Sequence, residues 1–170
     1  MLDLNQFPSK EQFEQAATEL AISPAMVEKD WYVTQVLAFM AGINLPGYKI
    51  IFSGGTSLSK AHELIKRFSE DVDFKVIPEE KSPKRETLSK FKNAIVDALE
   101  GAGFPVNRDS LKAGSGNKYF SIDIDYISHF DPITGLRPHI QLEISFHDSA
   151  LPHIEPVSYT HLTLPTNREV

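Results

Sequence analysis

Two aspartates are the residues of this chain whose types and spacing are best suited to chemistry. Asp71 and Asp73 stand two positions apart at the start of a predicted strand, so both carboxylates should point to the same face. Two carboxylates this close repel each other unless a cation lies between them, and their oxygens suit Mg²⁺ or Mn²⁺ completed by water and phosphate oxygens. The pair therefore predicts a metal site for phosphate chemistry.

A glycine pair and two hydroxyl residues precede the aspartates: Gly54, Gly55, Thr56 and Ser57. Glycine lets the backbone approach a ligand closely and adopt positive φ. A helix that begins at the hydroxyl residues, over about residues 56–66, would present its free amides to a phosphate. We therefore predict that these four residues bind a nucleotide phosphate group. A glycine pair alone is also typical of an ordinary turn, and an Asp-x-Asp alone is typical of a solvated strand end.

Caps and periodicity predict the elements that would position these residues. Ser9 and Gln12 form a capping box, and Ser23 followed by Pro24 marks a second helix start. The predicted helices cover about residues 9–20, 24–41 and 83–100. The predicted strands cover about residues 50–53 and 72–77 and two alternating segments at about 120–126 and 139–146, with a turn at 112–118.

The spacing of apolar residues predicts which faces are buried. Strand 50–53 is short and apolar, which is typical of a buried strand. Three sets should face the core: Val72, Phe74 and Val76 of the next strand; Leu88, Phe91, Ile95 and Leu99 of the third helix; and Val27, Trp31, Thr34, Leu37, Ala38 and Ala41 of the second. Glu28, Lys29 and Asp30 fall off that last stripe, so we expect them either to line the cleft or to form surface salt bridges.

Composition fits one domain of an ordinary cytoplasmic protein. A chain of 170 residues can bury a sizeable core. It has no cysteine, which excludes a disulfide framework, a thiolate nucleophile and a zinc–thiolate site. We expect no membrane span and a cytoplasmic location, because the sequence contains neither a long apolar run nor a secretory signal. The net charge of −6 gives no basic excess for nucleic-acid binding, although lysines and arginines cluster at residues 81–92.

The two motifs together resemble the signature of a known family. Gly-Gly-Thr-Ser-Leu-Ser-Lys at residues 54–60 and Arg-Phe-Ser-Glu-Asp-Val-Asp-Phe at 67–74 are similar to the AbiEii/AbiGii nucleotidyltransferases, toxin components of bacterial toxin–antitoxin and phage-abortive-infection systems. Val-Glu-Lys-Asp-Trp-Tyr-Val-Thr at 27–34 resembles the N-terminal helix of that family. The resemblance implies an α+β nucleotidyltransferase fold of the DNA polymerase β type, with a mixed β-sheet flanked by helices.

The resemblance also implies a reaction and its participants. A nucleoside monophosphate would pass from a nucleoside triphosphate to an RNA acceptor, tRNA above all, and a cognate antitoxin would restrain the enzyme. Asp71 and Asp73 would hold Mg²⁺ or Mn²⁺ against the phosphates. Lys60 or Arg67 would neutralise the charge of the leaving group, although Lys60 is also placed where a surface lysine would be expected.

A third carboxylate is the remaining expectation from the resemblance. Nucleotidyltransferases of this fold commonly add an acidic residue from a later strand to hold the metal that activates the attacking hydroxyl. Glu143, on the polar face of the second alternating segment, is the first candidate for a metal-binding and catalytic role. Asp123 and Asp125 are its rivals, and each of the three is also typical of an outward-facing polar residue on a half-exposed strand.

The end of the chain fits the rest poorly. From about residue 158 it resembles translated vector sequence, so we expect a nucleotidyltransferase domain at 1–157 and a non-native or disordered tail at 158–170. Family members usually continue into a helical C-terminal region, which we expect to be missing. Two alternatives stay open: a catalytically silent nucleotide-binding fragment or binding module, and a sugar-nucleotide enzyme that uses Asp-x-Asp with a divalent metal.

Overall fold

The computed structural model describes residues 7–54 and 71–147. Within these ranges the helices are α1 (Lys10–Leu20), α2 (Pro24–Gly42) and α3 (Arg85–Gly101). The strands in the same ranges are β1 (Tyr48–Ser53), β2 (Asp71–Pro78), β3 (Val106–Gly114), β4 (Tyr119–Asp125) and β5 (His139–Phe146), and a 3₁₀ turn spans Ser115–Asn117. The predicted helix at 56–66 and the predicted tail lie outside the described residues.

The five strands form one mixed sheet in the order β1-β2-β5-β4-β3. β2 and β5 run parallel, whereas the β1–β2, β4–β5 and β3–β4 pairs are antiparallel. Parallel neighbours cannot be joined by a tight hairpin, and the chain between β2 and β5 passes through α3, β3 and β4. The helices and the mixed sheet confirm the predicted α+β class.

One face of the sheet is apolar and packs against α2 and α3. The buried side chains on this side come from three strands and two helices: Val72, Phe74, Val76, Phe120, Ile122, Ile124, Ile140, Leu142 and Ile144, with Val33, Val36, Met40, Phe91, Ile95, Val96 and Leu99. Burying a side chain of this size stabilises the fold by about 1.5–3 kcal/mol. The predicted core faces of β2 and α3 are confirmed, since every residue assigned to them is buried.

The first helix begins as its sequence predicts. Ser9 Oγ accepts a hydrogen bond from the Gln12 amide at 3.3 Å, and the Ser9 amide donates to Gln12 Oε1 at 2.7 Å. These reciprocal bonds satisfy two amides that have no partner within the helix. α1 then packs on α2 through Phe13, Ala16, Ala17 and Val27, which form a second, smaller core.

The predicted buried stripe of α2 is wrong in its second half. Ala38 and Ala41 are exposed, while Val33, Val36 and Met40 are buried. The reason is that α2 packs on two neighbours: Val27 contributes to the cluster with α1, and the later residues pack on the sheet. A helix with two packing partners does not follow one stripe.

Two of the expected strands differ from the pattern. β1 is half-buried rather than buried, because it lies at one end of the described sheet and pairs on one side with β2. β3 was missed, since it lies at the other end and its register with β4 shifts between Asn107 and Lys112. Ser110 Oγ accepts from the Asp123 amide at 2.8 Å within that irregular stretch. Bulged outer strands lack a clean period-two pattern.

Candidate active site

Three acidic side chains of β2 and β5 lie on the polar face of the sheet, opposite the core. Asp71 and Asp73 lie two residues apart on β2, and Asp73 is the register partner of Glu143 on the adjacent parallel strand β5. Register partners project to the same side, and neighbouring strands lie about 4.8 Å apart. We call this side of β2 and β5, with Asp71, Asp73 and Glu143, the acidic face.

A cleft opens over the acidic face. Asp73 and Glu143 both line it, together with Ser53, Gly54, Phe74, Lys75, Tyr119, Ile144 and Ser145. Two of these residues continue the row of carboxylates, because Ser53 is the register partner of Asp73 on β1 and Ser145 that of Lys75 on β5. β1, β2 and β5 thus line one cleft side by side, with Tyr119 of β4.

The charges of the acidic face oppose one another. Burial raises the pKa of Asp73, and the nearby charges of Glu143 and Asp71 raise it further. A raised carboxyl pKa means that the folded chain disfavours the ionised form. A bound cation would remove the free-energy cost of ionising Asp73. We therefore treat the acidic face as a candidate metal site.

The residues present fit a cation that a ligand helps to hold. Among residues 7–54 and 71–147, no group of three or more acidic or histidine side chains is arranged to hold a metal ion. Mg²⁺ is commonly bound through one or two carboxylates, with water and substrate phosphates completing its six positions. Asp73 with Asp71 or Glu143 matches this sparser donor set.

Gly54 is required by its contact with Asp73. Its φ is +74°, and a β-carbon placed there would lie 2.0 Å from Asp73 Oδ2. Glycine therefore allows both the left-handed backbone and the close approach of the carboxylate. This contact explains Gly54 physically, whereas its predicted role in nucleotide binding stays a prediction. Gly55, Thr56, Ser57, Lys60 and Arg67, predicted to bind the nucleotide, lie outside the described residues.

The rivals of Glu143 lie farther from the aspartates. Asp123 is on β4, one strand beyond β5, and its Oδ1 lies 3.7 Å from His139 Nε2. Asp125 is exposed at the end of β4, and its register partner is His139. Glu143 alone of the three is paired directly with Asp73, so the geometry favours it. Its catalytic role stays a prediction.

Two basic residues of the site were missed in the sequence. Lys75 lines the cleft, and its position two residues after Asp73 on the same strand could have placed it there. Arg137 lies in the connection before β5, and its Nη1 is 2.6 Å from Asp71 Oδ1. No pattern in the sequence marks Arg137, because a connecting segment has no fixed period.

The expectations for Glu28 and Lys29 are wrong, since both are fully buried within α2. Glu28 accepts hydrogen bonds from Ser128 Oγ and from the His129 amide at 3.0 Å, and its Oε1 lies 2.7 Å from His129 Nδ1. Lys29 Nζ donates to the Arg137 carbonyl at 2.8 Å. These two charges bind the β4–β5 connection, so they form neither surface salt bridges nor part of the cleft described above.

A mixed sheet that carries carboxylates on two adjacent parallel strands beside a close glycine is suited to holding a divalent metal ion and phosphate oxygens. The family model described as "Nucleotidyl transferase AbiEii toxin, Type IV TA system" matches residues 38–168. The chain belongs to this family of nucleotidyl transferases, which confirms the resemblance drawn from its motifs.

Comparison with solved structures gives a distant similarity. The structure of the poly(A) polymerase complex of GLD-2 with GLD-3 aligns at 15% identity and a TM-score of 0.38, covering 81% of this chain and 39% of the other. The present chain thus spans well under half the length of that polymerase chain. No curated protein sequence matches significantly. Within the described ranges, no helix is long and apolar enough to cross a membrane.

Proposed function

We propose that this chain is a toxin that transfers a nucleoside monophosphate from a nucleoside triphosphate to an RNA hydroxyl, with tRNA as the acceptor. The observation that carries the proposal is the register pairing of Asp73 with Glu143 in one cleft, with Asp71 two residues away. Family membership supports the reaction class. The RNA acceptor, the metal and the cytoplasmic location are parts of the proposal.

The residues of the acidic face would have different roles in the reaction. Asp71 and Asp73 would hold Mg²⁺, which supplies charge neutralisation and alignment of the phosphates when bound. Glu143 faces the same cleft and would orient the acceptor hydroxyl toward the α-phosphorus. That oxygen would lose its proton to water and form the new bond to phosphorus as the bond to pyrophosphate breaks. Gly54 leaves the space beside Asp73 that a larger residue would fill.

Partners outside the chain follow from the family. Its description places it in a type IV toxin–antitoxin system, so we propose a cognate antitoxin that restrains the activity and a role in abortive phage defence. The nucleotide would enter over the cleft of the acidic face, whose polar lining includes Lys75 and Ser145. The Lys75 ammonium would place a positive charge next to the phosphate oxygens.

A transfer assay tests the proposal. The purified chain is incubated with each α-labelled nucleoside triphosphate, Mg²⁺ and total RNA, and the RNA is separated and counted. We expect label in RNA, and its loss in the double variant Asp71→Ala with Asp73→Ala. Asp109→Ala is the matched control, because Asp109 is an exposed aspartate on β3. Labelling that survives in the double variant would place the chemistry elsewhere.

A nucleotide-binding module without transferase activity is the second candidate. The observation in its favour is that Asp71 is already engaged by Arg137, and that no three acidic or histidine side chains among the described residues form a ready metal site. Triphosphate binding without labelled RNA would support this alternative. Transfer of a sugar from a nucleotide sugar would contradict both candidates.

A further inference from the structure

We propose that Arg137 is a nucleotide-phosphate ligand that contacts Asp71 before nucleotide and metal bind and exchanges it for phosphate when they do. The inference deepens the proposed nucleotidyl transfer and rests on it. It assigns a binding role to a residue that no motif marks. It also explains why a cation already contacts the first aspartate of the pair.

The contacts place the guanidinium at the edge of the acidic face. Arg137 Nη1 lies 2.6 Å from Asp71 Oδ1 and 2.6 Å from Gln141 Oε1. Gln141 is the register partner of Asp71 on β5, so the guanidinium bridges the same two strands that carry Asp73 and Glu143. About half of the Arg137 side chain, 47%, is exposed, so a ligand can reach it.

The contact with Asp71 competes with a cation. A guanidinium and a divalent ion repel each other, so both cannot share one carboxylate at full strength. Phosphate oxygens change this balance because they attract both cations. Arginine also matches phosphate geometry with two parallel hydrogen bonds, which makes phosphate a stronger alternative partner than a single carboxylate oxygen.

The backbone of Arg137 is fixed while its side chain reaches the site. The carbonyl of Arg137 accepts from the fully buried Lys29 Nζ at 2.8 Å. Glu28, the preceding residue of α2, binds Ser128 and His129 near the start of the same connection. These contacts fix the backbone of the connection at two points. The Arg137 side chain can therefore exchange Asp71 for phosphate by rotation about its own bonds, without movement of the backbone.

Two titrations on the same proteins test the exchange. Mn²⁺ binding without nucleotide is followed by electron paramagnetic resonance, and binding of each nucleoside triphosphate with Mg²⁺ is followed by calorimetry. For Arg137→Ala we expect Mn²⁺ to bind about fivefold tighter, because a neighbouring positive charge is gone. We expect the triphosphate to bind about tenfold weaker, because a charge-assisted contact is lost.

Two further variants separate charge from structure. Arg137→Lys keeps the charge but not the planar fork, so its Mn²⁺ affinity should stay near that of the unaltered chain and its triphosphate affinity should recover only in part. Arg108→Ala is the control, because Arg108 is an exposed arginine whose partners Asp97 and Glu100 lie on α3 and outside the cleft. Both of its affinities should match the unaltered chain.

Four results would overturn the inference. Unchanged affinities in Arg137→Ala would show that the guanidinium contacts neither ligand. Weaker binding of both Mn²⁺ and triphosphate would show a merely structural role. An unaltered chain that binds no triphosphate would overturn the proposed function as well, whereas triphosphate binding that is insensitive to Arg137→Ala would overturn the inference alone.

Discussion

Two groups of charged residues in this protein lie in different environments, one fully buried and one half-buried. Glu28 and Lys29 are fully buried in α2, and their charged atoms are held by hydrogen bonds to the β4–β5 connection. Asp73 and Glu143 are half-buried on the acidic face, where burial and then the charges of Glu143 and Asp71 raise the pKa of Asp73. Hydrogen bonds within the chain compensate the buried charges of Glu28 and Lys29, whereas Asp73 and Glu143 are like charges side by side.

The difference separates structural from functional charges. Burying a charged group costs several kcal/mol of desolvation free energy. Such a group is therefore found in a folded protein only where hydrogen bonds or an opposite charge compensate that cost. Half-exposed charges of one sign weaken the fold slightly and are retained where a ligand supplies the missing cation. Glu28 and Lys29 should therefore govern stability, and Asp73 should govern activity.

The largest expected effect is on the buried group. Replacing Glu28 by alanine leaves the His129 amide and Ser128 without their carboxylate, and we expect the free energy of unfolding to fall by about 4 kcal/mol. Urea denaturation measures it. Glu14→Ala, an exposed glutamate of α1, should change it by less than about 0.5 kcal/mol. Equal effects in the two variants would erase the contrast between the groups.

An intermediate effect is expected where the backbone meets the acidic face. Gly54→Ala and Gly116→Ala both introduce a β-carbon at positive φ, +74° and +67°, but only the first meets another atom within 4 Å. The shared backbone strain cancels in the comparison. We expect Gly54→Ala to be less stable than Gly116→Ala by about 2 kcal/mol, because the new carbon collides with Asp73. Urea midpoints that coincide would show that Asp73 moves aside freely.

The smallest expected effect has the opposite sign. Asp73→Asn removes a charge that the metal-free fold disfavours, so we expect a small rise in the free energy of unfolding at neutral pH, within about 1 kcal/mol. Because burial and neighbouring charges raise the pKa of Asp73, its contribution to stability is present below its ordinary pKa and is lost as pH rises through the folded value. The advantage of the variant should thus shrink toward low pH.

Denaturation of both proteins in a metal chelator, from neutral to acidic pH, measures this effect. Asp109→Asn is the matched control, since it makes the same change at an exposed aspartate on β3. A variant that is less stable than the unaltered chain at neutral pH would show that Asp73 is a structural carboxylate.

Much of the acidic face could be predicted from sequence. Alternation along β2 and β5 was enough to place Asp71 and Asp73 on one side and Glu143 on a polar face, because period two is a local property of a strand. The pairing of Asp73 with Glu143 was beyond reach, since register between strands distant in sequence depends on the whole sheet. The family motifs at residues 27–34, 54–60 and 67–74 do not include β5, so they could not give this register either.

The remaining differences have the same origin. Glu28 and Lys29 were expected in the cleft or in surface salt bridges. Their partners, Ser128, His129 and the Arg137 carbonyl, are distant along the chain and leave no local pattern. A local sequence pattern shows whether a residue is polar, but it does not show which distant group will be its hydrogen-bond partner. Arg137 escaped notice for the same reason, since its place beside Asp71 is set by the fixed β4–β5 connection.

The central claim is the proposal that Asp73 serves chemistry and does not stabilise the fold. Transfer of labelled nucleotide to RNA by Asp73→Asn, measured on the same preparation as its thermal unfolding, tests this claim most directly. We expect no labelled RNA above background and a melting temperature no lower than that of the unaltered chain. Labelled RNA at the unaltered level from a folded Asp73→Asn protein would contradict the account.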